Sequence, residues 1–272
     1  MPFLETNGTR LHYQDWGTGR PVVFIHGWAI GGGSWEYQAL PLADQGLRCI
    51  TYDQRGCGQS DDPGVGYDYD TLSDDLAALI EHLELRGAAL VGHSMGGGVI
   101  ARYLSRHGAG RVARIALAAT TTPFPMKTAD NPDGFDVSAF EDALARMRQD
   151  RALYVADIAP GFFGVGLPGC SASPEMIQWG IALAMQASPK ASVEMLRTNF
   201  STDQRADLGA VTVPTLVLHG DMDQSCPLDL TGRETARLIS DSRLAVYEGA
   251  PHGFLLTHKD RFNSDLLAFI GS

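Results

Sequence analysis

The chain has 272 residues, 44% of them hydrophobic, enough for one large domain with a sizeable core or for a domain carrying an inserted lid. With 32 acidic against 21 basic residues the formal charge is -11, which argues against nucleic acid or an anionic membrane as partner, since both require basic surface. The start Met1-Pro2-Phe3-Leu4-Glu5 lacks the basic and apolar segments of a leader, and no run reaches the roughly 18 apolar residues of a membrane span, so a cytoplasmic protein is expected.

In chain order, residues 3–6 and 10–16 flank Asn7-Gly8, a dipeptide suited to a tight hairpin turn, so an antiparallel hairpin opens the sheet. Residues 21–25 are continuously apolar, as in a strand buried on both faces, and lead into the glycine-rich loop 26–33. Ser34 can cap a helix to about Gln45; residues 47–52 form the next strand and 53–60 its loop. Leu72, Leu76, Leu79, Ile80 and Leu83 recur near the helical period across residues 71–85. A strand at 88–91, a helix at 95–107 and a strand at 112–119 continue the alternation. The pattern predicts an α/β protein with a mainly parallel, eight-stranded sheet, helices on both faces and ligands beyond the carboxyl ends of the strands.

From residue 123 to about 205 the alternation stops, and helix-like stretches at 138–150, 174–186 and 190–200 are separated by proline and glycine. This segment is expected to be a helical cap inserted in a core made of residues 1–122 and 206–272. Alternation resumes with a strand at 214–219, a helix near 229–240, a strand at 243–247 and a last helix at 258–270.

Chemistry concentrates where these strands end. In Gly92-His93-Ser94-Met95-Gly96 small residues let a strand turn sharply into a helix, which would expose the Ser94 hydroxyl as a nucleophile; the competing reading is close packing of helix on strand. A serine needs a base, and His252, in the loop after the last strand, is the candidate. The orienting acid is expected between them in the chain, at Asp221 or Asp223; Asp223 is preferred because it lies further out on the loop, whereas Asp221 can bond the turn backbone. The backbone N–H groups of Trp28 and Met95 would form the oxyanion hole. Asp53 and Arg55 read as loop supports. Phe124, Phe162, Phe163 and Trp179 are candidates for a substrate pocket, with Phe124 and Phe162 preferred. Cys49, Cys57, Cys170 and Cys226 show no C-x-x-C pair, so their spacing marks neither a zinc site nor a disulfide framework.

Together, His26-Gly27-Trp28, Asp53-x-Arg55-Gly56-x-Gly58-x-Ser60, the Ser94 elbow, His219-Gly220-Asp221-x-Asp223 and Pro251-His252-Gly253-Phe254 resemble the α/β-hydrolase superfamily over the whole chain. Within it, the Trp28 loop, Trp35 to Gln38, Asp68 to Thr71, Gly96 to Gly98, Ala101 to Tyr103 and Ala250 to Phe254 are similar to the cofactor-free haloperoxidases, a branch that includes arylesterases, perhydrolases and γ-lactamases. The resemblance implies hydrolysis of small esters, lactones or amides, peracid formation as a side activity, and no metal, haem or other cofactor. A serine rather than an aspartate at the elbow argues against dehalogenase and epoxide hydrolase chemistry. Two departures stand out: members of the branch often carry Phe in place of His93, and Pro or Leu in place of Ala29. A proline can fix that loop to meet peroxide, and an alanine does not impose the same geometry. The alternatives are a γ-lactamase as main activity or a slow-turnover ligand receptor on a hydrolase scaffold. The expected partner is a small ester, lactone or lactam, with a homo-oligomer left open.

Overall fold

In the computed structural model, which describes residues 2–271, eight strands build one sheet. They are β1 (Phe3–Thr6), β2 (Thr9–Trp16), β3 (Pro21–Ile25), β4 (Arg48–Tyr52), β5 (Ala88–His93), β6 (Val112–Ala118), β7 (Thr215–Gly220) and β8 (Ser242–Tyr247). Their spatial order is β1-β2-β4-β3-β5-β6-β7-β8. β2 is antiparallel to β1 and β4, and every pairing from β4 to β8 is parallel. The hairpin turn uses positive φ at Asn7 and Gly8, as the dipeptide predicts. Because β4 lies on one side of β3 and β5 on the other, the strand order reverses between β3 and β5. The loops leaving those two carboxyl ends therefore diverge and open a crevice.

The helices are α1 (Glu36–Asp44), α2 (Tyr69–His82), α3 (Met95–His107), α4 (Val137–Gln149), α5 (Arg151–Phe163), α6 (Pro174–Met185), α7 (Pro189–Ser201), α8 (Arg205–Gly209), α9 (Gly232–Leu238), α10 (Phe254–Thr257) and α11 (Lys259–Gly271). Val23, Ile25, Leu90, Ile115 and Leu117 pack with α2 and α3 on one face. Val22, Phe24, Val91, Ala116 and Leu218 pack with α1 and α11 on the other. Both faces of β5 and β7 are buried along their whole length, which is why these strands read as continuous apolar runs. Among the described residues no helix is long and apolar enough to cross a membrane.

The sequence expectations for the elements differ from the structure in several places, among them the short helix α8, which falls between the expected elements. The helix expected at 34–45 begins as a 3-10 turn, Gly32–Trp35, before α1. The last expected helix divides into α10 and α11. α5 was not expected, because Pro160 and Gly161 read as punctuation; Pro160 falls in the last turn, and the Asp150 side chain caps the start by accepting from the Leu153 N–H at 2.9 Å. Helices α4 to α7 lie between β6 and β7 in the chain and, together with the strand-end loops, enclose one cavity.

Candidate active site

The turn from β5 into α3 holds Ser94 at φ 54°, ψ -121°, a conformation that costs a non-glycine residue roughly 1–3 kcal/mol and persists only when its surroundings enforce it. Ser94 N–H donates to the Ala118 carbonyl at 2.9 Å, and Gly97 N–H donates to the Ser94 carbonyl at 3.0 Å. No side chain fits beside this turn: a Cβ on Gly92 would lie 2.6 Å from the Gly96 carbonyl group, and one on Gly96 would lie 2.3 Å from the Ile25 carbonyl oxygen. The glycines flanking Ser94 are thus required by close approach, and the serine side chain is left facing the cavity.

β7 and β8 bring the next two groups together. Asp223, in the loop after β7, places Oδ2 2.7 Å from Nδ1 of His252, in the loop after β8. An ionised carboxylate can only accept, so Nδ1 carries the imidazole proton and the neutral ring keeps its lone pair on Nε2. Asp223 Oδ1 accepts from the N–H groups of Ser225 at 2.9 Å and Cys226 at 2.8 Å. Burial would raise the Asp223 pKa, but the charge of His252 and hydrogen bonds from His219 and His252 outweigh it and hold the carboxyl well below its usual range. Asp221, by contrast, is exposed and accepts from the Gly249 N–H at 2.7 Å, the role of a turn residue.

Two further histidines support this pair: His93, which the sequence places beside the site as a packing or hydrogen-bonding residue, and His219, which it gives no part. His219 Nε2–H donates to the Cys226 carbonyl at 2.7 Å and lies 3.4 Å from Asp223 Oδ2. His93 Nε2–H donates to the His252 carbonyl at 3.1 Å, with the two rings 4.8 Å apart. Burial, reinforced by the charge of His252, pushes the His93 pKa down to about 3, so His93 stays neutral near pH 7. A histidine directly before the nucleophile and one at the end of β7 were visible in the sequence; nothing in their spacing told that each would reach a backbone carbonyl across the site.

The loop after β3 carries Trp28. His26 Nε2 accepts from the Gln54 N–H at 2.9 Å, and Asp53 Oδ1 accepts from the Gly32 N–H at 2.6 Å. Arg55 forms a buried pair with Asp75 at 2.7 Å, so Asp53 and Arg55 brace loops as read from the sequence. Among the described residues neither the Trp28 nor the Met95 backbone N–H has a protein acceptor. The Trp28 indole N–H donates to the Ser192 carbonyl in α7 at 2.7 Å, tying this loop to the inserted helices. Ala29 adopts φ 62°, which the ring of a proline, fixed near -65°, cannot adopt.

Ser94, His252, His93, Trp28 and Phe162 all line a cavity of about 460 Å³. Its far wall is apolar and aromatic, with Phe140, Tyr154, Phe163, Trp179 and Phe200. Phe162 stands edge-on to His252 at 5.7 Å and fixes the loop through its carbonyl, which accepts from the Gly253 N–H at 2.8 Å. Phe124 is not among the lining residues and corrects the sequence expectation: its ring packs under the Arg205 guanidinium at 5.6 Å. The chain after β6 folds back on itself through the Met126–Phe135 bridge, so that Pro125 and Phe135 face the cavity instead. Phe140 and Phe200, stacked 5.0 Å apart, were missed because helical periodicity does not distinguish packing from lining.

Residues 20–259 match the family model described as the alpha/beta hydrolase fold. The chain is 40% identical to a non-heme haloperoxidase of Rhodococcus erythropolis over 274 residues, covering 100% of both proteins. It is 36% identical to a bifunctional esterase/perhydrolase of Acinetobacter calcoaceticus, again covering 100% of each. The crystal structure of a bromoperoxidase from Bacillus anthracis superposes with a TM-score of 0.93 at 39% identity, covering 97% of this chain and 96% of that one. Matched along its length in both sequence and architecture, the chain belongs to the α/β-hydrolase fold family and is an enzyme of the hydrolase type.

Proposed function

We propose that the protein is a serine hydrolase that cleaves small esters with apolar groups through an acyl-enzyme. The observation that carries this reading is the meeting of Ser94, held at a strained turn, with His252, held by Asp223 at 2.7 Å, in one cavity. His252 Nε2 takes the Ser94 proton as the hydroxyl attacks the carbonyl, Asp223 fixes the tautomer and stabilises the imidazolium, and the N–H groups of Trp28 and Met95 receive the oxyanion. Protonated His252 then returns the proton to the leaving group, and water repeats the sequence to release the acid. Residues 123–205 act as a cap whose aromatic wall selects for aryl or branched groups. With hydrogen peroxide in place of water the same acyl-enzyme gives a peracid; the φ of Ala29 denies that loop the path a proline would impose, so perhydrolysis is a side reaction.

The test is pre-steady-state hydrolysis of p-nitrophenyl acetate. A burst of p-nitrophenol equal to the enzyme concentration is expected, lost in Ser94→Ala together with roughly 10⁵–10⁶ of kcat. Wild-type turnover in that variant would overturn the mechanism. A panel of esters, lactones and a bicyclic γ-lactam, assayed beside peracid formation, ranks the substrate classes by kcat/KM.

A further inference from the structure

Cys226 takes no part in the proposed acyl transfer, yet it lies at its centre. The residue is 3% exposed, sits in the loop that carries Asp223 and lines the same cavity as Ser94. A carboxylate oxygen of Asp223, the sulfur of Cys226 and an imidazole nitrogen of His252 all lie within 4.8 Å of one another, and all three residues are buried. Oxygen, nitrogen and sulfur converging on one point form a donor set suited to borderline-soft d¹⁰ cations. Tetrahedral zinc holds sulfur at about 2.3 Å and nitrogen or oxygen at about 2.0–2.2 Å, so its donors stand roughly 3.3–3.7 Å apart. To reach that spacing the 2.7 Å contact between His252 and Asp223 opens by under ~1 Å and the thiol moves in by a similar amount, shifts within the range of side-chain rotation.

We propose that Asp223, Cys226 and His252 form an inhibitory binding site for a thiophilic divalent cation of the zinc or cadmium type. Binding makes metal–sulfur, metal–nitrogen and metal–oxygen bonds, breaks the S–H bond and releases that proton to solvent, while the imidazole binds in its neutral form. The dication, thiolate and carboxylate sum to zero charge, which a buried site tolerates better than any of them alone. Occupancy pulls His252 out of its contact with Asp223 and stops it serving Ser94. Burial, then the charge of Asp223, keeps the thiol well above its ordinary pKa, so the metal must displace a tightly held proton.

Titration of the full-length chain with cadmium tests this by a readout that needs no catalysis, the ultraviolet sulfur-to-cadmium charge-transfer band. One band-forming equivalent is expected, with loss of esterase activity in parallel and recovery of both on adding a chelator. Cys226→Ala and Cys226→Ser should lose the band, and their half-inhibiting cadmium concentration, each measured against that variant's own uninhibited rate, should rise roughly tenfold or more. Cys170→Ser, which removes the half-buried thiol outside the cluster, should keep both. A cadmium-induced rise in melting temperature in the wild type, absent from the two Cys226 variants, guards against misreading a folding defect. Persistence of the band in folded Cys226→Ala, or full occupancy with activity intact, would overturn the proposal. Ser94→Ala should still form the band, so that failure of the hydrolase reading and failure of the metal site are told apart.

Discussion

The strand-end loops and helices α4 to α7 face each other across one cavity and are held in different ways. On the sheet side, Asp223 and His252 are 4% and 7% exposed and bonded to each other, Asp223 also to the Ser225 and Cys226 N–H groups of its own loop and His252 also to His93 at the end of β5. On the helical side, Phe140, Tyr154, Phe200 and Trp179 meet the cavity through ring and aliphatic contacts, while Leu153 and Val165 remain more than half exposed behind them. Directional bonds hold atoms to the tolerance that proton transfer needs, and apolar packing supplies a shape that can be altered one ring at a time. The difference teaches that rate and selectivity should respond to separate substitutions.

The sharpest way to break that separation is at Asp223. Asp223→Asn keeps the shape but allows the wrong imidazole tautomer, and a loss of about 10⁴ in kcat is expected with the ester still bound. No single substitution in α4 to α7 should come near it, and a comparable loss of kcat in Phe140→Ala would end the distinction. Next in size is the elbow itself. Gly96→Ala drives a Cβ to 2.3 Å from the Ile25 carbonyl oxygen, a backbone atom that cannot swing aside, so a destabilisation of about 1–3 kcal/mol or more is expected by denaturant unfolding. Unchanged stability there would show that the turn is looser than its geometry implies.

On the helical side the effects should be selective and smaller. Phe140→Ala and Trp179→Ala open the far wall, and kcat/KM for a bulky aryl ester relative to the acetate should change by roughly tenfold, with kcat for the acetate little altered. A uniform change across the ester panel would mean that the wall positions Ser94 or His252 rather than the substrate.

What the sequence made legible follows the same boundary. Ser94, His252 and the two competing carboxylates could be read because each follows an apolar strand in a fixed order, and the backbone of the sheet then brings their loops together. The choice of Asp223 over Asp221 rested on loop position, and the 2.7 Å contact with His252 follows that choice. Helices α4 to α7 were harder to read. α5 was masked by Pro160 and Gly161, and Phe124 turned away from the cavity because the chain after β6 folds back before the first inserted helix. Cys226 escaped notice for another reason: its sulfur comes near Asp223 and His252 through a turn and the parallel pairing of β7 with β8, neither of which leaves a metal-ligand spacing in the sequence.

The smallest effect expected at neutral pH separates the regions by its dependence on acid. His93 has its pKa lowered from 6.5 to about 3 by burial and the nearby His252 charge, so between those values the unfolded chain binds a proton that the folded chain refuses. Stability contributed by neutral His93 is present above pH 6.5 and is lost on acidification toward pH 3, by up to about 1.4 kcal/mol per pH unit. His93→Phe removes this dependence along with the bond to the His252 carbonyl, which should cost about 0.5–1.5 kcal/mol at neutral pH. The wild type should therefore be the more stable near neutrality, and the two melting curves should cross as pH falls, leaving His93→Phe the more stable in acid. His26, lowered by burial in the same direction, contributes equally to both proteins and cancels in the comparison. Phe140→Ala, which touches no titrating group of this kind, should lower the whole curve without changing its slope. Parallel curves for His93→Phe and the wild type would show that this imidazole meets acid no differently when folded, and that the sheet-side loops hold it less tightly than the apolar wall opposite.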